Sequence, residues 1–295
     1  MEIGQIEAFL AVVHEGNFTR AAAHLNVTQP SLSARMQQLE QSLGSDLFQR
    51  DIRPVQLTPA GQVFVDYAER ALSILAAGQE AVRATNAGVN GRITVCCPYS
   101  LATYLMPEVV DRFSAAHPQA ELFMEAGHSD YAVSQLVDGL VNFALAAAFP
   151  RYSATSHTLL RLHDEMVVAA TPEHPLAQTK DISLATLWQY QKLLIHWGDA
   201  FDAYLQSLQQ MTNESGPIIR VPLAAALPMA RRPNSITFLP RRLTAVSHLI
   251  ELDVPKFQFA WDAVLLTRPN RSLTTLEQTF VDTVSAVWYS SQPER

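Results

Sequence analysis

Cysteine is nearly absent: two occur in 295 residues, and they are neighbours, Cys96 and Cys97. Adjacent residues bridge only with strain, so a disulfide framework is excluded and a reducing cytoplasm is the expected location. Long apolar runs are missing too. None approaches the ~18 residues of a membrane span, and no basic start leads into an apolar core and cleavage site, so neither a membrane contact nor a secretory signal is expected. Catalytic signatures are missing as well: there is no G-x-S-x-G, G-x-G-x-x-G, phosphate loop or H-E-x-x-H, and nothing groups a nucleophile with a base. No enzymatic activity and no cofactor are expected. His128 and His196 share no metal-ligand spacing, so no metal site is expected either. Positive charge is scarce, with 21 Lys and Arg against 28 Asp and Glu and a net charge of -7. The first sixty residues hold four Arg and no Lys (Arg20, Arg35, Arg50, Arg53) against six acids. Nucleic-acid-binding modules are ordinarily basic, so composition alone does not select that class.

What is present centres on Phe18 to Glu40. This stretch reads as two short helices with a tight connection. Thr19 can cap the first, whose small face is Ala21, Ala22, Ala23 and Leu25. Asn26-Val27 carries the turn. Thr28 precedes Pro30, and proline suits the first helical turn, where its missing N–H costs nothing. In the second helix Leu32, Met36, Leu39 and Leu43 recur at helical spacing and make one apolar face. The other face carries Gln29, Ser31, Ser33, Ala34, Arg35 and Gln38. Short polar groups, amides and one Arg on an exposed helical face are what reading base edges in a major groove requires. The alternative is a small helical core packed for stability alone, which leaves the polar face unexplained. A leading helix over about 3–14 packs Ile6, Phe9, Leu10 and Val13 inward.

The ordered set Ala21-Ala22 with Leu25, Thr28-Gln29-Pro30-Ser31-Leu32-Ser33, Leu39-Glu40, Leu43-Gly44, Leu47-Phe48 with Arg50, and Leu57-Thr58 with Gly61 resembles the helix-turn-helix of LysR-type transcriptional regulators. The resemblance implies a bacterial DNA-binding regulator. Thr28, Gln29, Ser31, Ser33, Arg35 and Gln38 are the expected contacts to double-stranded DNA, with Pro30 placing the helix. Two short extended runs around Asp51 to Pro54 read as a β-hairpin wing that sets Arg50 and Arg53 against the DNA backbone. The alternative for either Arg is a solvated hairpin. Thr58-Pro59 opens a helix running to about Ala87, roughly 40 Å long. Its stripe of Ala60, Val63, Phe64, Tyr67, Ala68, Ala71, Leu72, Leu75 and Val82 needs a partner, either the same helix of a second chain or its own chain. The resemblance implies the former, a homodimer through residues 59–87, and a homotetramer that meets the transcription machinery.

Gly88 to Gly91 reads as a hinge. Strand and helix then alternate: strand 92–97, a helix through Tyr104 to Ala116, strand 120–125, a helix over about 131–140, and strand 143–148. This argues for a parallel sheet. A crossing strand, 159–170, leads to a second lobe with helices 184–189 and 200–210 and strands 192–196, 218–221 and 236–239. Strand 261–267 returns, and helix 274–287 closes. The fold class is α/β: residues 1–58 a winged helix-turn-helix, 59–90 a linker helix and hinge, and 91–295 a two-lobed domain. Lobe I takes 91–163 and 267–295, lobe II 164–266. This resembles the periplasmic-binding-protein-like effector domain of the same family. Two departures stand out. Asn142 occupies a position where the family often has Asp, and Arg231, Arg232 and Pro233 replace small residues before a final apolar strand.

Ligands of open α/β sheets bind beyond the carboxyl ends of the strands. Those ends place Tyr99, Ser100, Leu101, His128, Ser129, Phe149, His196 and Trp197 around an effector, with Ser100 and Ser129 as hydrogen-bond donors. The set is rich in aromatics, and Arg151 is the one cation counted at these ends. A small organic effector with an apolar or aromatic body and at most one anionic group fits. Core packing is the competing reading for Trp197 and for Phe201. A regulator that binds DNA constitutively, without a ligand, is the alternative function. A redox-responsive regulator acting through Cys96 and Cys97 is a further one.

Overall fold

The computed structural model describes residues 1–49, 55–86, 91–212, 214 and 216–290. They fall into two compact units, residues 1–88 with 138–140, and residues 89–137 with 141–295.

The first unit opens with α1 (Ile3–Glu15), α2 (Phe18–His24) and α3 (Gln29–Leu43). Gly16 ends α1 and Gly44 ends α3, both with φ near +60°, the left-handed conformation that stops a helix. Asn17, not Thr19, caps α2: its side-chain oxygen accepts from the Thr19 and Arg20 N–H groups. The carboxamide reaches the open N–H groups from outside the helix, whereas Thr19 already lies within the first turn. Thr28 caps α3 as expected, accepting from Ser31 N–H. Ile6, Phe9, Val12, Ala21, Ala22, Leu32, Met36 and Leu39 are buried together.

Two short strands, β1 (Phe48–Gln49) and β2 (Gln56–Leu57), pair antiparallel as the wing expected from the sequence requires. Arg50 and Arg53 lie outside the described residues with the rest of 50–54, as does the 88–90 part of the expected hinge. Glu40, an acid of the N-terminal charge count, is buried. Its carboxylate accepts from the Leu47 and Phe48 N–H groups at 2.8 and 3.3 Å, tying α3 to the wing. Thr58 caps α4 (Pro59–Asn86), accepting from Gly61 N–H at 3.0 Å. A side chain at Gly61 would collide with the Leu47 carbonyl oxygen, so glycine lets this helix start against the wing. Ala60, Phe64, Val65, Ala68 and Leu72 of α4 pack on the three-helix core.

The second unit is built on a nine-stranded sheet. Chain order gives β3 (Arg92–Pro98), α5 (Tyr99–Tyr104), α6 (Met106–Ala116), β4 (Glu121–Gly127), α7 (Ser129–Val137) and β5 (Phe143–Ala147). A 3-10 turn at Pro150–Ala154 leads to the long β6 (His157–Ala170). Then follow α8 (Leu184–Trp188), β7 (Gln191–Leu194), α9 (Asp199–Gln210), β8 (Ile218–Arg220), α10 (Leu223–Met229) and β9 (Ser235–Pro240). The chain ends with α11 (Arg241–Val246), β10 (Ile250–Glu251), β11 (Phe259–Thr267) and α12 (Thr275–Ser290). Across the sheet the order is β4-β3-β5-β11-β6-β9-β7-β8, with β10 on β6. β3 pairs parallel with β4 and β5, and β7 parallel with β8 and β9. The antiparallel pair β6 and β11 joins the two parallel halves. These are the two crossing strands read from the sequence.

The helix expected through Tyr104 to Ala116 breaks at Leu105, where Pro107 restarts it as α6. The helix expected to Leu140 stops at Val137, ahead of Gly139 with φ +80°. The strand expected to reach His196 ends at Leu194, so His196 and Trp197 sit in the loop ahead of α9. Residues 231–234 form an exposed turn at the amino end of β9, whose first residue, Ser235, is buried. The turn is therefore at the opposite end of that strand from its carboxyl end, where a ligand would sit.

Candidate nucleic-acid interface and ligand cleft

The outer face of α3 is solvent-exposed where the sequence expected it. Thr28, Gln29, Pro30, Ser31, Ala34 and Gln38 are exposed, and Ser33 and Arg35 are half-buried. The Gln29 side-chain amide donates to Ser33 Oγ at 3.0 Å, so these two side chains act as one polar surface. Gln38 faces partly inward: its Oε1 accepts from the buried Gln5 amide at 3.2 Å. Gln37 is exposed on the same face, three residues after Ala34, and sequence reasoning passed over it. Arg20 is paired with Glu15 at 3.5 Å, and His24 approaches the same carboxylate at 3.3 Å. These contacts tie α2 to the end of α1, so Arg20 serves the fold of the unit.

In the second unit the carboxyl ends of the strands gather the expected residues. The Tyr99 and His128 rings meet edge to face at 5.9 Å. Ser129 Oγ accepts from Ala147 N–H at 3.0 Å, which fixes the start of α7 to the end of β5. Phe149 follows β5 and reaches the other half of the sheet: a Cβ at Gly198 would stand 3.0 Å from its ring. Gly198 has φ +114°, open to glycine alone in practice, so both its backbone and its missing side chain admit that ring. Ser100, at the start of α5, is 3% exposed.

One expectation, Leu101, needs correction, and burial bears on two others. Leu101 is fully buried among Ile93, Val95 and Cys97, so it supports the helix and offers no surface to a ligand. Trp197 is half-buried: its indole N–H donates to the Phe238 carbonyl at 2.9 Å and its ring packs edge to face on Trp261. Phe201 is core, 1% exposed, as its competing reading held. Arg151 is also not alone at the strand ends. Arg220 ends β8, and Arg241 and Arg242 follow β9.

Each of these cations has a partner. Arg151 makes hydrogen bonds of 2.9 to 3.2 Å to Asp130 and stacks 4.5 Å over Phe149. Burial would push the Asp130 carboxyl up, but hydrogen bonds from Tyr152 and Arg151 hold it below its ordinary value. Asp202 takes His196 at 3.0 Å and Arg220 at 3.6 Å. Arg241 is held by Glu251 at 2.9 Å and by Glu165 at 2.5 Å. Arg242 lies 4.0 Å over the Trp288 ring.

Two cavities of about 540 and 480 Å³ open elsewhere, one beside β6 and the β10–β11 connection, the other along α9 and β8. None of the eight residues expected at the effector lines either of them. Among the described residues no group of His, Cys, Asp and Glu could hold a metal ion, and no helix is long and apolar enough to cross a membrane.

Cys96 and Cys97 are both fully buried, on opposite faces of the sheet. Burial pushes their thiols up to about 11 and about 12. A sensor thiol needs the reverse, exposure and a lowered pKa.

A capped helix-turn-helix with a wing, followed in the chain by a two-halved α/β unit, defines a class of two-module regulators. The model for the bacterial regulatory helix-turn-helix protein of the LysR family matches residues 3–62, and that for the LysR substrate binding domain matches residues 86–288. The chain belongs to the LysR family. It is 33% identical over 183 residues to the transcriptional regulator BenM of Acinetobacter baylyi, a match covering 61% of this chain and 59% of that protein. To a probable nitrogen assimilation transcriptional activator of Synechocystis it is 29% identical over 200 residues, covering 67% and 64%. These matches thus span less than two thirds of either relative's length. Its fold is similar to that of full-length CbnR complexed with its target DNA, with TM-score 0.72, 22% identity, and 97% and 100% of the two chains covered. It is also similar to full-length BenM, with TM-score 0.54, 25% identity, and 100% and 99% covered.

Proposed function

We propose that the protein is a sequence-specific DNA-binding transcriptional regulator whose activity is modulated by a small molecule held between the two halves of its sheet. Residues 1–58 bind DNA, 59–90 pair two chains, and 91–295 receive the effector. The observation that carries the DNA reading is the exposed polar face of α3, a helix capped at both ends whose apolar face packs on α1 and α2. Gln29, Ser31, Ser33 and Arg35 read base edges, joined by Gln37. Known relatives named as transcriptional regulators support the same reading.

Arg35→Ala is expected to weaken binding to the preferred DNA by about 1–3 kcal/mol and binding to random DNA much less. Titrations on both DNAs at one salt concentration check this; an equal loss on both would remove Arg35 from the reading set. A regulator that binds DNA without a ligand is the second reading. It is favoured by Phe149, which already lies against Gly198 where the two halves meet.

A further inference from the structure

A buried cation lines the cavity of about 480 Å³ along α9 and β8. β7 and β8 pair parallel, with Lys192 opposite Ile218 and Leu194 opposite Arg220. Side chains two apart on a strand share a face, and all four of these line the cavity together with Ala203 and Leu205 of α9. An apolar residue would fill the place of Lys192 without cost, whereas an ammonium taken out of water is costly unless it is paired. Lys192 is 1% exposed. Its Nζ donates to the Trp188 and Tyr190 carbonyl oxygens at 2.7 and 2.9 Å, at the end of α8. The third N–H has no partner among the described residues. No carboxylate among them balances the charge either: burial alone draws the ammonium down to about 8.

A second donor stands close by. Trp188 also lines the cavity, and its buried indole N–H has no partner among the described residues. The Lys192 Nζ lies 5.9 Å from the centre of that ring. Two unmet donors call for an acceptor, and the uncompensated cation favours a charged one. The surrounding wall is apolar, with Leu194, Leu205 and Phe238 all buried. The remaining charged groups lie further out. Asp199 and Arg220 are exposed, and Asp202 already takes Arg220 and His196. They form the rim of the cavity, and Lys192 and Trp188 form its floor.

We propose that this cavity is a ligand site in its own right, for a small monocarboxylate with an apolar body, whose carboxylate accepts from the free Lys192 and Trp188 N–H groups. It is built by α8, β7, α9, β8 and β9 alone, apart from the strand ends, and is independent of the effector reading above.

The probes are hexanoate and 3-phenylpropionate with their matched amides and amines, added to the full-length protein in thermal-shift and calorimetric titrations. The carboxylates are expected to stabilise the protein, and the matched amides and amines to bind at least about tenfold more weakly, as loss of a charge-assisted hydrogen bond dictates. Lys192→Met should weaken the carboxylates by at least about tenfold. Ala203→Trp, at an exposed place on α9 that lines the cavity, should block them while leaving the buried set untouched. Binding near about pH 8.5 should also take up part of a proton, because a bound carboxylate holds Lys192 charged. Calorimetry in buffers of different ionisation enthalpy reads this uptake. A lysine that only holds the end of α8 would shift the melting temperature in Lys192→Met and show neither carboxylate binding nor proton uptake. Should Lys192→Met not fold, Ala203→Trp and the proton uptake of the unaltered protein decide. Carboxylate binding unchanged by the variants, equal binding of the amides or amines, or no stabilisation by any probe at millimolar concentration would overturn the proposal and leave the effector reading standing.

Discussion

Asn142 shows how one residue can depart from a family pattern without loss. Its Oδ1 accepts from the Thr94 N–H at 2.7 Å and from Thr94 Oγ1 at 2.8 Å, which fixes the amide orientation. The Nδ2 then donates to Glu277 at 3.0 Å, a carboxylate only 3% exposed that also binds Arg271 and the Thr274 N–H. An Asp here would set two carboxylates face to face. Asn142→Asp is expected to cost about 1–3 kcal/mol at neutral pH, the penalty of a buried group that loses its donor. Urea unfolding at pH 7 reads it. An unchanged midpoint at pH 7 would contradict the role given to Asn142. The sequence showed the departure but not its reason, because Glu277 lies 135 residues away.

The cysteines are a second case at this scale. Cys96 and Cys97 point into different clusters of the core, since helices cover both faces of the sheet. With thiols raised to about 11 and about 12, both are expected to stay unmodified by a thiol reagent at pH 8 until the protein unfolds. Above 9.0, the ordinary thiol value, the unfolded chain sheds protons that the folded one keeps, so stability should fall as pH rises. Rapid labelling of the native protein would revive the redox reading.

At the scale of elements, α4 divides its apolar residues between two tasks. Phe64, Val65, Ala68 and Leu72 pack on the first three helices, while Val63, Tyr67, Ile74, Leu75 and Val82 stay exposed. Summed helical angles put the exposed five on one side, with Gly78 among them, where a second helix can approach closely. Tyr67→Asp is therefore expected to shift the protein toward the monomer in sedimentation and to weaken DNA binding, with α1 to α3 intact. A dimer of unchanged stability would assign the stripe elsewhere. The periodicity of this helix, like that of α3, was plain in the sequence because one period ran over many residues. α10 and α11 were missed. Both are short, seven and six residues, and Pro228 lies inside the first. Their assignment comes from packing against neighbouring strands, which no local pattern records.

On the scale of the whole molecule, the order of strands and helices was legible because β-α alternation prescribes a parallel sheet and two long crossing strands interrupt it. The ligand cleft was legible only as a list of strand ends. Leu101 belonged to that list by position, and the structure turns it inward, while Trp197 stays half-buried with its indole N–H bonded to Phe238. Arg220, Arg241 and Arg242, with their partners, belong to the carboxyl ends of β8 and β9, which were not counted. The N-terminal charge balance, which argued against DNA, loses much of its force once Glu40 is a buried anchor and Glu15 is paired with Arg20.

Selection of bound sequences from a random DNA pool, at one stated salt concentration, tests the central claim most directly. Enrichment of an interrupted palindrome is the predicted result, since two recognition helices related by a two-fold axis read two half-sites. Recovery of no preferred sequence would contradict the account and give the acidic balance of the first sixty residues its full weight.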